Sequence, residues 1–111
     1  MNTPYIALSG ILSCKDEREL GLVQAFLPAH IEFTRAEEGC ISFEVTQDSV
    51  NPLIWHVNEL FDSQASFDAH QRRTLASEWG AQTAHIKREY IVSEIAAQEN
   101  AREYGRKEQI Q

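Results

Sequence analysis

The sequence lacks the arrangements that most readily announce a bound cofactor. It has no HExxH and no close cysteine pair, and its four histidines are widely separated, so neither a zinc site nor a facial metal triad has a local scaffold. No glycine-rich loop joins a strand to a helix, which leaves a flavin or nicotinamide pyrophosphate without its usual cradle. Cys14 and Cys40, the two cysteines, stand apart and read as buried thiols. No apolar run approaches the roughly 18 residues of a membrane span, and the opening MNTPYIALSG carries neither a basic segment nor a long apolar one. The expected location is therefore the cytoplasm. Lysine and arginine cluster only in short pairs, and the formal charge is −7, from 17 acidic and 10 basic residues; such a field repels nucleic-acid backbones and anionic bilayers.

What is present suits one small core. A chain of 111 residues, 42% of them hydrophobic, fits a single domain, here placed at residues 1–93, with 94–111 as a polar helix or tail. A domain of this size leaves much of its surface exposed, so a second copy covering an apolar sheet face is expected.

Along the chain, YIALSGILSC (5–14) reads as a buried strand and LGLVQAFLPAHIEFTRAEEG as a helix that continues through Pro28. Its apolar residues fall in one stripe, Leu22, Phe26, Ala29 and Phe33, with Val23, Leu27 and His30 beside it. Gly39 suits a left-handed turn. CISFEVTQD alternates, with Ile41, Phe43 and Val45 on one side, and LIWHVNELF is a further strand after the turn residues DSVNP. In that strand Trp55, Val57, Glu59 and Phe61 point one way, Ile54, His56, Asn58 and Leu60 the other. Asp62 or Ser63 caps a helix carrying Phe67, His70 and Thr74 on one face; a second piece carries Trp79 and Thr83, and HIKREYIVS closes the domain as a strand. The order strand, helix, strand, strand, helix, strand predicts an α+β, ferredoxin-like antiparallel sheet with helices on one face.

The stretch TRAEEGCISFEV, followed by WHVNELFDSQASFDAH, resembles the antibiotic biosynthesis monooxygenase family over roughly residues 5–92. The resemblance rests on Glu38-Gly39-Cys40, the Asn51-Pro52 loop, Glu59, Phe67 and His70. It implies a homodimer whose two sheets close into a dimeric α+β barrel, with a pocket between sheet and helices in each subunit. Members of this family include cofactor-independent oxygenases of quinols and polycyclic phenols, haem-degrading proteins and isomerases. Phe43 stands where many relatives carry tyrosine, and Phe61 where tryptophan is frequent, so two polar donors of the family pattern are missing here.

Within that frame His70 is the candidate base, since a near-neutral imidazole can take a proton from a phenol; the alternative is a histidine that braces the strand beneath it. Glu59 is either its catalytic partner or a buried structural acid. His56 and Asn58 share the strand face opposite Glu59, so the three cannot form one compact triad without a bulge. The greater polarity of their face favours His56 and Asn58 as pocket wall. Trp55, Phe67 and Trp79 offer aromatic surface to a flat substrate, and His30 a further pocket edge, although a small core needs such volume in any case. The expected function is oxidation of a quinol or other electron-rich aromatic by dioxygen, without metal or organic cofactor. An isomerase of a small carbonyl metabolite and a non-catalytic ligand-binding dimer are the alternatives.

Overall fold

A computed structural model describes residues 3–96 of the chain. The elements are β1 (Tyr5–Ser13), α1 (Glu17–Arg35), β2 (Cys40–Gln47), β3 (Ile54–Phe61), α2 (Gln64–Leu75), α3 (Glu78–Thr83) and β4 (Lys87–Ile95). The strands form one antiparallel sheet in the order β2-β3-β1-β4. Helices cover one of its faces, as the order of elements predicts. β4 runs past Ser93, where the sequence places the end of the domain, and the polar segment from residue 97 lies outside the described residues.

The expectation of a barrel is corrected by this sheet, which is open. β2 and β4 are its two edges, with β3 and β1 between them, and no ladder among the described residues joins them. Closure needs every edge strand paired, and among the described residues β2 and β4 each have a neighbour on one side only. The barrel came from family resemblance and from no pairing pattern in the strands themselves.

Short polar side chains set the helix starts. Asp16 accepts from the Glu19 amide, Ser63 from Ser66 and Ser77 from Gly80, each satisfying a first-turn N–H that has no partner within its helix. Pro28 sits inside α1, which runs unbroken through it. The buried stripe of α1 is Leu20, Val23, Leu27, His30 and Thr34, rotated from the one expected: Phe33 is 60% exposed, and Phe26 only half-buried. Spacing alone fits both stripes, and the more polar one is inside, where His30 stacks on Trp79 and Thr34 Oγ1 accepts from Arg73.

On the covered side of the sheet, Ile6, Leu8 and Leu12 of β1 and Trp55, Val57 and Phe61 of β3 build the core with Val23, Leu27 and Phe67. Each such side chain contributes roughly 1.5–3 kcal/mol on burial. Gly10 of β1 faces the β4 backbone; a Cβ there would sit 2.0 Å from the Glu89 carbonyl oxygen. A bulge between Cys40 and Ser42 adds one residue to β2. It lifts Ile41 out of the expected apolar row, leaving it 46% exposed, while Phe43 turns under the helices opposite Glu59. Among the described residues no helix is long and apolar enough to cross a membrane.

Candidate active site

The register of β3 decides which polar side chains lie under the helices. Glu59 pairs with Leu8 of β1 and Phe43 of β2, both core-facing, so it points into the layer between sheet and helices and is 6% exposed. His56 and Asn58 point to the opposite face. There the His56 ring meets Asp48 Oδ1 at 2.8 Å with half its side chain in solvent. The sequence-based preference for His56 and Asn58 as cavity wall is thus corrected by geometry: two-residue parity puts Glu59 on the cavity side and sends them away from it.

His70, on the inward face of α2, is 2% exposed. Its Nδ1 lies 2.9 Å from Glu37 Oε1, at the turn after α1, and its Nε2 is 3.9 Å from Glu59 Oε1. A carboxylate can only accept, so Nδ1 carries the proton and donates to Glu37. That tautomer leaves the Nε2 lone pair facing the cavity, where the Thr74 hydroxyl, at 3.4 Å, is its only close donor among the described residues. Glu37 is itself fixed by the Arg73 guanidinium, whose Nη2 also donates to Thr34 Oγ1 at 3.1 Å. The ring packs against Phe61, with centroids 4.9 Å apart, and near Phe43.

Beside it lies His30, buried on α1 and stacked on Trp79 at 5.1 Å with the rings 9° from parallel. Three buried polar atoms lack a partner among the described residues: His30 Nδ1, Trp55 Nε1 and Glu59 Oε1. Each orphan costs about 1–3 kcal/mol, which makes the His30 and Glu59 atoms noteworthy because both residues border the same empty space. This cavity, of about 340 Å³, lies between α2, α3 and the sheet. His30, Glu59, His70, Trp79, Arg88 and Tyr90 supply its polar and aromatic walls. A shallower cleft of about 730 Å³ on the other side of His70 is bordered by Glu37, Asp62, Ser66 and Arg73. Trp55 and Phe67 belong to the core, Phe67 edge-on to Phe61, and neither borders the cavity.

Protonation follows from burial. Desolvation, reinforced by the Glu37 carboxylate, pushes the Glu59 carboxyl up to about 8, so it is mostly protonated at neutral pH. Desolvation also draws His30 down to about 3, with repulsion from His70, Arg73 and Arg88 adding to it. The His70 imidazole is lowered by burial against the opposing pull of Glu37, and is neutral at neutral pH. A neutral base with an oriented lone pair thus faces a protonated acid. Glu37, Arg73 and Arg88 were missed by the sequence reading. The two positions that hold Glu37 and His70 lie 33 residues apart, a pairing no local pattern reveals; Arg88 did carry a signal, as an arginine on the strand face shared by Ile86 and Tyr90. His85 is half exposed, 3.5 Å from Glu19, and lies outside the cavity. Among the described residues no three histidine, cysteine, aspartate or glutamate side chains are grouped to hold a metal ion.

The model of a family described as antibiotic biosynthesis monooxygenase matches residues 12–82. No curated protein matches the chain significantly. Among solved structures, a Nitrosomonas europaea protein described as a candidate antibiotic biosynthesis monooxygenase superposes with a TM-score of 0.70 at 16% identity, over 88% of this chain and 95% of its own. A Shewanella oneidensis protein gives 0.62 at 25% identity, over 86% and 96%. MupZ from Pseudomonas fluorescens gives 0.64 at 23%, over 95% of this chain and 77% of its own. These likenesses support the fold.

The raised pKa of Glu59 has a measurable consequence for stability. Folded, the carboxyl keeps its proton up to about pH 8, whereas unfolded it releases it near the ordinary value of 4.5. Stability should therefore fall as pH rises between these values. Below about 6.5 the two lowered histidines oppose this trend, which leaves pH 6.5–8 as the window where Glu59 acts alone. There the unfolding free energy should drop by on the order of 1 kcal/mol, and Glu59→Gln should flatten that slope. Urea unfolding across this window checks it; an unchanged slope in the variant would place the carboxyl in an ordinary ionised state.

Proposed function

Because the chain belongs to the antibiotic biosynthesis monooxygenase family, a family associated with enzymes, we propose that the cavity between α2, α3 and the sheet oxidises a quinol or similar electron-rich phenol with dioxygen. One observation carries this reading: His70 presents an unprotonated Nε2 to the cavity while its other nitrogen is tied to Glu37. That arrangement orients a base and supports the imidazolium formed when it takes a proton.

In the proposed reaction, His70 Nε2 takes a phenolic proton. The electron-rich phenolate then passes an electron to dioxygen, and the radical pair joins to form a carbon–oxygen bond at a ring carbon. His70 returns its proton to the peroxide. The O–O bond breaks as His70 removes the proton on that ring carbon and Glu59 protonates the departing hydroxide, which leaves as water. Transfer from His70 back to Glu59, now 3.9 Å apart, resets both groups. Overall, one quinol and one dioxygen give one hydroxyquinone and one water, so electrons come from the substrate alone. The cavity's aromatic walls exclude water from the charged intermediates. Isomerisation of a small carbonyl metabolite would use the same base and acid without oxygen, and simple ligand binding would use neither.

Oxygen uptake with a panel of quinols tests the proposal. Wild-type protein should consume oxygen, and His70→Asn should lose on the order of 10² to 10⁴ in rate, with an altered pH dependence near neutrality. Product formed without oxygen would instead favour the isomerase. Normal turnover in the variant with a lower urea midpoint would make His70 a brace and the base assignment wrong.

A homodimer is the proposed assembly. The sheet face away from the helices carries the half-buried Ile11 and Ile54, with Ile91 72% exposed, and apolar surface of this kind is supplemented naturally by a second copy. Sedimentation equilibrium at micromolar concentration should give twice the chain mass; a strict monomer there refutes it.

A further inference from the structure

Arg88 is a charged cavity-lining residue to which the proposed reaction gives no role. It projects from β4 beside Tyr90 and over Trp79, with its guanidinium carbon 5.9 Å from the indole centroid. Three of its five N–H donors are engaged: Nη1 donates to the Thr83 and Ile86 carbonyls at 2.7 and 3.0 Å, and Nη2 to Thr83 Oγ1 at 2.9 Å. These contacts hold the group rigidly against the end of α3. The remaining donors are Nε–H and the second Nη2–H; the guanidinium also hydrogen-bonds the Tyr90 hydroxyl, which leaves Arg88 at least one N–H for an oxygen of an anion. Tyr90, whose hydroxyl burial pushes up to about 12, stays neutral beside it.

The cavity's charge balance points the same way. With Glu59 mostly protonated and both histidines neutral, Arg88 carries the only formal charge among the lining residues at neutral pH. In a protein of net charge −7, the lining of this cavity thus carries a positive charge. Its volume of about 340 Å³ is at the small end of ligand sites, which matches one or two fused rings better than a long polycycle.

We infer that the site takes a small hydroxylated aromatic carboxylate, with the phenol at His70 and Glu59, the ring along Trp79, and the carboxylate on Arg88. This rests on the reading of the cavity as a phenol-oxidising site, and it adds what that reading does not contain: the substrate is an anion, and Arg88 selects it.

Gentisate and its methyl ester differ in this charge while sharing the same quinol ring. Calorimetric titration of the whole protein without oxygen at neutral pH should show the acid binding at least about tenfold more tightly than the ester. Arg88→Gln should erase that advantage and leave the ester's affinity within about twofold. If Arg88→Gln does not fold, the comparison on wild-type protein decides alone. An ester that binds as well as the acid, an acid that does not bind, or an advantage that survives in Arg88→Gln each overturns the inference. Admitting air separates the two proposals: tight, Arg88-dependent binding of the acid without oxygen uptake would sink the oxygenase and keep the anion site. Uptake with the ester alone would do the reverse.

Discussion

A histidine and a glutamate buried side by side must each settle on a protonation state without help from bulk water. In this protein burial sets both states, and a third group orients the histidine. Glu37 reaches from the turn after α1 to His70 Nδ1, and Arg73 holds Glu37 in place. Burial keeps His70 neutral, and the hydrogen bond fixes its tautomer with the lone pair inward; burial also raises Glu59, with repulsion from the same carboxylate adding to it. Breaking that contact would free the ring to turn or to take the other tautomer, and the acid and base would lose their assignment together.

The sheet separates two kinds of polar chemistry. Under the helices, the polar groups are few, buried and shifted in pKa; on the other face, His56 and Asp48 form an exposed pair, with Asp48 drawn down to about 2 chiefly by the Asn51 amide and His56. The exposed pair lies in high dielectric and adds little to stability. The buried set is costly, with orphaned atoms on His30 and Glu59 bordering the cavity. Unsatisfied groups gathered at one cavity are what a ligand would repair.

Much of the fold was legible because alternation and helical spacing are local. Glu59 and His56 had to face opposite ways, and the cap at Ser63 follows from a short polar side chain before the second helix, whereas those at Asp16 and Ser77 were not read. Which face of β3 lay under the helices was not legible, since both carry bulk; Trp55, Val57 and Phe61 outweigh Ile54 and Leu60 only once packed against α1 and α2. The bulge at Ile41 and the rotated stripe of α1 depend on contacts between distant elements. So does Glu37: nothing near it in sequence says that it will orient His70.

The central claim is the neutral, Nδ1-protonated state of His70, and nitrogen NMR of its imidazole reads this state directly. Long-range proton–nitrogen correlations at pH 7 should show a protonated Nδ1 and an unprotonated Nε2, with the ring titrating below the ordinary 6.5. In Glu37→Gln the tautomer preference should weaken. A proton found on Nε2, or an imidazolium at pH 7, would contradict the account, because the nitrogen facing the cavity would then have no lone pair with which to act.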